Sequence, residues 1–152
     1  MQLEFEESID APQALVFEVF TDLQQAPDNL DSIQSIEVIG GGPVGKGTRF
    51  RETRVMFRKE TTEEMEIAEF DPPRMYMVRG YSCGTEFETT YRFQGSQRQT
   101  QLKMTMTSTP KTLFAKVVGP IMGAMMKGAM CKAMDADHAQ LKAICESRVS
   151  QS

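Results

Sequence analysis

The chain holds one histidine, three cysteines and three tyrosines, so acid–base or nucleophilic chemistry has few groups to draw on. His138 lies in Asp135-Ala136-Asp137-His138, which sets Asp135 and His138 one helical turn apart, close enough to share a ligand. As the single imidazole it must serve any histidine proton transfer or metal ligation. No other spacing supplies the remaining ligands of a metal site, so no metal is expected. A polar patch or a structural hydrogen bond is the plainer role for His138. Cys83, Cys131 and Cys145 are odd in number, form no C-x-x-C pair and have no base beside them in sequence. They read as reduced thiols rather than covalent nucleophiles.

Gly40-Gly41-Gly42-Pro43-Val44-Gly45 fits the spacing G-x-G-x-x-G, and Gly40 to Lys46 nearly completes a P-loop. Both phosphate motifs need a helix N-terminus next, because its free N–H groups bind the anion. Here a strand pattern follows, Thr48-Arg49-Phe50-Arg51-Glu52, and position 47 is glycine where a P-loop needs Ser or Thr. The segment reads as a hairpin loop and no nucleotide cofactor is expected.

Polar residues in phase with apolar strand positions form a second candidate group. If Met75 and Met77 point inward, Arg79 and Tyr81 follow by alternation, and Tyr91 sits between Phe87 and Phe93. An arginine among apolar side chains needs an anion, and a bound carboxylate would serve as well as one from the protein. Glu52 and Arg54 alternate with Phe50 and extend the same lining. The plainer alternative places Arg79 at a cavity mouth or in an internal ion pair.

The elements that would position these residues follow from periodicity. Leu3–Ile9 alternates as a half-buried strand. Asp10-Ala11-Pro12-Gln13 opens a short helix carrying Val16, Phe17 and Phe20 inward, and a second short helix spans Leu23 to Asn29 around Pro27. The period then changes to two. Strands are expected over Ile33–Ile39, Thr48–Phe57, Thr61–Phe70, Met75–Tyr81, Thr85–Phe93 and Gln99–Ser108. Turn-length connections allow hairpins but no crossover helices, so the sheet is antiparallel. After Thr109-Pro110, which suits a helix start, Leu113 to Glu146 reads as one long helix kinked at Gly119-Pro120. Met126, Met130 and Met134 share a stripe with Asp137, His138, Leu141 and Ile144. Leu113 to Cys131 is apolar nearly all round, yet Lys116, Lys127, Pro120 and three glycines argue against a membrane span. Such breadth calls for two buried faces, or for one that meets a ligand, a partner chain or a membrane surface.

Composition narrows the function. The chain has 152 residues, one domain by size (1–152), and carries a net charge of −4, which argues against nucleic acid as a partner, since its binders need a basic field. Its first residues are acidic and lack a signal-peptide pattern, so a cytoplasmic location is expected. Twelve methionines and no tryptophan suit a deformable apolar pocket, or simply a methionine-rich core.

The order strand, two short helices, six strands, long helix resembles the START-like superfamily, also called SRPBCC or the Bet v 1-like helix-grip fold, and within it the polyketide cyclase/dehydrase branch. The resemblance rests on Ile9-Asp10-Ala11-Pro12-Gln13-Ala14-Leu15-Val16-Phe17, on Gly45-Lys46-Gly47-Thr48-Arg49-Phe50, on Phe70-Asp71-Pro72-Pro73-Arg74 and on the terminal Leu141-Lys142-Ala143-Ile144. It implies an α+β fold: a seven-stranded curved antiparallel sheet gripping the long C-terminal helix over a cavity. It brings no universal catalytic signature, so no catalytic residue is transferred. The leading reading is a carrier or sensor that binds a small hydrophobic ligand, lipid-like, aromatic or polyketide-like. The walls would be Phe50, Met65, Ile67, Met75, Met77, Phe87, Tyr91, Leu102, Met104 and Met106, closed by Met126, Met130 and Met134, with Arg79 and Tyr81 orienting a polar group. One rival is a cyclase, aromatase or dehydratase, favoured by a buried Glu or Tyr of perturbed pKa. Another is an interaction protein using the methionine-rich helix, favoured by an exposed apolar patch there. A homodimer is compatible with all three.

Overall fold

The computed structural model describes residues 2–56 and 58–150, with residue 56 by its backbone alone. Seven strands form one antiparallel sheet: β1 Gln2–Ile9, β2 Ile33–Ile39, β3 Arg49–Met56, β4 Lys59–Asp71, β5 Met75–Ser82, β6 Thr85–Gly95 and β7 Thr100–Pro110. Their spatial order is β1-β7-β6-β5-β4-β3-β2. Helices α1 Gln13–Thr21 and α2 Ala26–Asn29 follow β1, and α3 Leu113–Ser150 ends the chain. This is the helix-grip fold expected from the order of elements.

Several element ends differ from the sequence expectation, each for a local reason. Asp10 does not cap α1, which begins at Gln13 after Pro12. The Asp10 carboxylate instead accepts from Gln99 Nε2 at 3.1 Å, and its backbone N–H donates to Glu146 at 2.9 Å. The second helix starts at Ala26, where Pro27 falls in the first turn and costs no hydrogen bond. Pro110 closes β7 rather than opening the long helix, and Thr112 Oγ1 supplies the cap by accepting from Ala115 N–H at 3.1 Å. Helix α3 runs through Pro120 without a break. The end of the third expected strand, Phe57, lies outside the described residues.

The register fixes which residues face the helices. Phe93 pairs with Leu102, Tyr91 with Met104 and Thr89 with Met106. Phe5 pairs with Met104 on the other side, and Tyr76 with Tyr91. Leu102 and Met104 are almost fully buried, so this parity defines the concave face. In β4 the register shifts between Ile67 and Glu69. Strict alternation from Met65 and Ile67 would send Glu69 inward. The irregularity brings Phe70 there instead, opposite Tyr76, while Glu69 stays exposed.

The core lies at one end of the concavity. Val16, Phe17 and Phe20 of α1 meet Tyr76 and Phe93 of the sheet, and Leu141 and Cys145 of α3 complete the cluster. Phe17 packs edge-on to Tyr76 and Phe93, with centroids 5.9 and 5.5 Å apart, and Tyr76 stacks on Tyr91 at 4.8 Å. Helix α3 is thus held at its C-terminal half. At its start, Lys111 N–H donates to the Gly84 carbonyl at 2.8 Å, and Ala115 is buried against the β5–β6 turn. Between those two clamps the helix bridges the sheet and buries little.

Two glycines separate backbone necessity from mere tolerance. A Cβ at Gly95 would stand 2.2 Å from the Gln99 carbonyl oxygen and 2.7 Å from Thr100 Cα, whereas one at Gly128 would meet nothing. Gly95→Ala should therefore cost about 1–3 kcal/mol in urea unfolding through crowding against backbone. Gly128→Ala, inside a helix, should add about 0.5–1 kcal/mol. A Gly95→Ala protein with an unchanged midpoint would mean that the β6–β7 turn is not built on this contact.

Candidate functional site

Strand β3 enters the concave face with Phe50, Glu52 and Arg54, because Phe50 pairs with Met65 and Glu52 with Glu63. Arg54 Nε donates to Glu52 Oε1 at 2.5 Å, and its Nη1 donates to Asp137 Oδ2 on α3 at 3.1 Å. Ser32 Oγ donates to the other Asp137 oxygen at 2.7 Å. The side chains of Arg54, Glu52 and Asp137 retain 23%, 11% and 13% exposure, so water screens this bridge between layers only weakly. Burial opposes the charge on Arg54, and the two carboxylates outweigh it, so the guanidinium pKa is raised.

Beside this cluster stand the groups that could exchange protons. His138 is buried on α3, its ring 4.2 Å from Phe5, with Nε2 3.5 Å from the Tyr91 hydroxyl. Its Nδ1 is buried without a hydrogen-bond partner. Burial holds the imidazole neutral, with its pKa lowered to about 4 although Asp137 and Asp135 pull the other way. Burial likewise pushes the Tyr91 phenol well above its ordinary value, so it acts as an O–H donor at neutral pH. The Tyr76 phenol is raised for the same reason, and its hydroxyl donates to the Phe20 carbonyl at 3.4 Å. One arginine, two carboxylates, a neutral imidazole and a neutral phenol thus meet on one face.

The concave face also carries Met65, Ile67, Phe87, Leu102, Met104 and Met106, all named as wall residues from the sequence. Phe50, Ile67, Leu102 and Met104 are core, nearly closed to solvent. Met65, Phe87 and Met106 are half-buried, as are Met126, Met130 and Met134 on α3.

Four wall expectations are corrected. Met75, Met77, Arg79 and Tyr81 lie on the convex face, because Tyr76 and Val78 take the concave positions opposite Tyr91 and Thr89. Tyr76 buries a large ring against three aromatics, Phe17, Tyr91 and Phe93, a gain that the flexible methionines cannot match. Arg79 meets Glu88 at 3.1 Å with about half its side chain exposed, and Tyr81 is exposed. Of the acids beside His138, Asp135 is exposed, while Asp137 does the bridging, to Arg54. Its partner is 83 residues away, and the signal lay in a carboxylate placed on an apolar helical stripe.

Two shallow concavities lie elsewhere and lack this chemistry. One, of about 400 Å³, is lined by Ile39 to Gly41 and Lys46 to Arg49. The other, of about 340 Å³, is formed by Arg49, Glu64, Glu66, Arg79, Tyr81 and neighbours on the convex side. The glycine-rich loop connects β2 to β3, so no helix N-terminus follows it. Cys145 is buried, its thiol pushed up to about 11, and does not ionise at neutral pH.

Two stability measurements test the site. Arg54→Met leaves Glu52 and Asp137 buried without their cation, and should cost about 3–5 kcal/mol at pH 7. Neutralising both acids in the same protein should recover most of that loss; if it recovers none, the arginine acts through packing. His138 binds a proton at pH 6.5 when unfolded but only near pH 4 when folded. Its burial therefore costs no stability above pH 6.5, and the cost grows to about 3 kcal/mol as pH falls to 4. Urea unfolding at pH 7 and pH 4.5 should show that loss in the native protein and less of it in His138→Gln. Equal losses in both would assign the acid sensitivity to the carboxylates.

Known proteins share the fold. No curated protein matches the chain. Among solved structures, the Zhui aromatase/cyclase from Streptomyces sp. R1128 superposes with a TM-score of 0.80 at 19% identity, over 98% of this chain and 95% of that one. A START superfamily protein from Mycobacterium smegmatis gives 0.78 at 11% identity, over 96% and 97%. Truncated norcoclaurine synthase from Thalictrum flavum gives 0.64 at 21% identity, over 96% and 94%. At these identities the likeness establishes the fold. Residues 2–146 match the family described as polyketide cyclase/dehydrase and lipid transport. With nearly its whole length matched, the chain belongs to that family.

Proposed function

We propose that this domain, residues 1–152, binds a small and largely apolar molecule carrying a hydroxyl, carbonyl or carboxylate, and serves as its carrier or sensor. One observation carries the reading: half-buried apolar side chains of the concave face adjoin a finished polar cluster. Val78, Phe87 and Met106 would offer apolar area worth roughly 25 cal/mol per Å² covered. Arg54, Tyr91 and His138 would orient the oxygen, a few polar groups in an apolar site being the usual design for small ligands. The unpartnered His138 Nδ1 supports this, since a buried polar atom costs about 1–3 kcal/mol until something meets it. A cytoplasmic location belongs to the same proposal, supported by three free cysteines.

A second reading, an enzyme of the cyclase, aromatase or dehydratase type, is favoured by the buried Tyr91 phenol beside a neutral imidazole. In that reading Tyr91 gives a proton to a substrate oxygen and His138, neutral at pH 7, accepts one from the substrate.

Native mass spectrometry of the protein from its own host should find a small molecule bound one to one. With a fluorescent probe such as 2-naphthol, Phe87→Asp should weaken binding about tenfold or more. Met77→Asp, on the convex face, should leave it unchanged. If both variants bind as the native protein does, the concave face is not the site. Turnover of the bound molecule, lost in Tyr91→Phe while its affinity persists, would select the enzyme.

A further inference from the structure

We propose that the outward face of α3 between Leu113 and Met125 docks the protein on an anionic lipid surface. Leu113, Phe114, Val117, Ile121, Met122 and Met125 are all exposed, Phe114 by 74%, Ile121 by 61% and Met125 by 76%. Large apolar side chains scattered singly are ordinary on a protein surface, but six within thirteen residues of one helix are a patch. Neither the sheet nor α1 and α2 cover it: the buried residues of α3 are Ala115 and then His138, Leu141 and Cys145.

Charge selects the occupant. Residues 111–134 contain Lys111, Lys116, Lys127 and Lys132 and no acidic residue, within a chain whose net charge is −4. All four are exposed, and among the described residues none joins an ion pair. An apolar helix face with lysines about it and acids excluded matches the boundary between acyl chains and anionic headgroups. Long lysine stems can lie along the apolar layer while their ammonium groups reach phosphate. A second copy of this chain fits less well. A two-fold interface would set this basic segment against itself, lysine facing lysine.

The fold also sets the depth. One end of the segment is tied to the β5–β6 turn through Gly84, and the other enters the core at His138. Both ends are fixed to one body, so the helix lies in the plane of the membrane surface and does not cross it. Only 6% of its most apolar window is buried within the protein, so that face is free to meet lipid. This inference stands apart from the ligand reading, since docking needs no cargo.

Vesicle flotation tests it. The protein should float with phosphatidylcholine vesicles containing about a third phosphatidylglycerol, and about tenfold less with phosphatidylcholine alone or in about 1 M salt. The double variant Ile121→Glu/Met125→Glu should lose about tenfold in partitioning with its melting temperature kept. Lys116→Glu/Lys127→Glu, which spares the apolar side chains, should lose the preference for anionic vesicles and reads the same surface independently. Failure of the native protein to float with anionic vesicles would overturn the proposal. So would equal flotation with neutral vesicles, or a stable dimer in light scattering that Ile121→Glu/Met125→Glu dissolves.

Discussion

The packing of Phe17 and Phe20 against Tyr76, Tyr91 and Phe93 is the contact on which the rest of the structure depends. It brings α1, β5 and β6 to one point, and the same cluster receives Leu141 and Cys145 of α3. Because side chains alternate along a strand, committing Tyr76 to this cluster commits every other residue of β5. Val78 and Gly80 become concave, and Met77, Arg79 and Tyr81 become convex. Pairing then transmits the choice through β6 to β7 and β1, and through β4 to β3, where it turns Glu52 and Arg54 inward. The polar cluster is thus a consequence of where an aromatic ring found its partners.

That cluster is hard to explain as a stabilising device. Three poorly exposed charged groups that sum to one negative charge carry a desolvation cost that their mutual attraction only partly offsets. Apolar residues of similar volume would close the same gap with less penalty. A neutral imidazole with an unmet nitrogen adds to the expense. Surplus polarity on a half-covered apolar wall is what a ligand with one oxygenated end would require, and local cost at such places is common at functional sites.

The architecture was legible in the sequence because its two periods are clean. Phe87, Tyr91 and Phe93 alternate with charged or small polar residues, and Leu102, Met104 and Met106 do the same, so both strands and their inward faces could be read. The run Met75-Tyr76-Met77-Val78 gave no such signal, since both of its faces are apolar, and the parity chosen for it was the wrong one. Glu52 and Arg54 were in phase with Phe50 and could be placed on the lining. Their partner could not, because it lies 83 residues further along the chain and no local pattern links the two. Asp137 sat on a stripe with Met134, His138 and Leu141, and a carboxylate there demands a cation from the opposite layer. Of the strand arginines considered as lining, only Arg54 had a parity fixed by a buried neighbour, so the pairing was recoverable in principle.

The two halves of α3 answer different demands. From His138 onward the helix has a dry inner face and an exposed outer one, with Leu141 and Cys145 buried and Lys132, Glu146 and Arg148 among the polar residues near it. From Leu113 to Met125 the apolar residues face out as well as in, a pattern that costs solubility and contributes nothing to the fold of the isolated chain. A helix needing only to cover a trough would carry charges on its back, as the C-terminal half does. Glycine at 119, 123 and 128 further weakens helix propensity along this stretch. A segment of low helix propensity, held at both ends and apolar on its outer surface, is shaped by a demand other than covering the sheet.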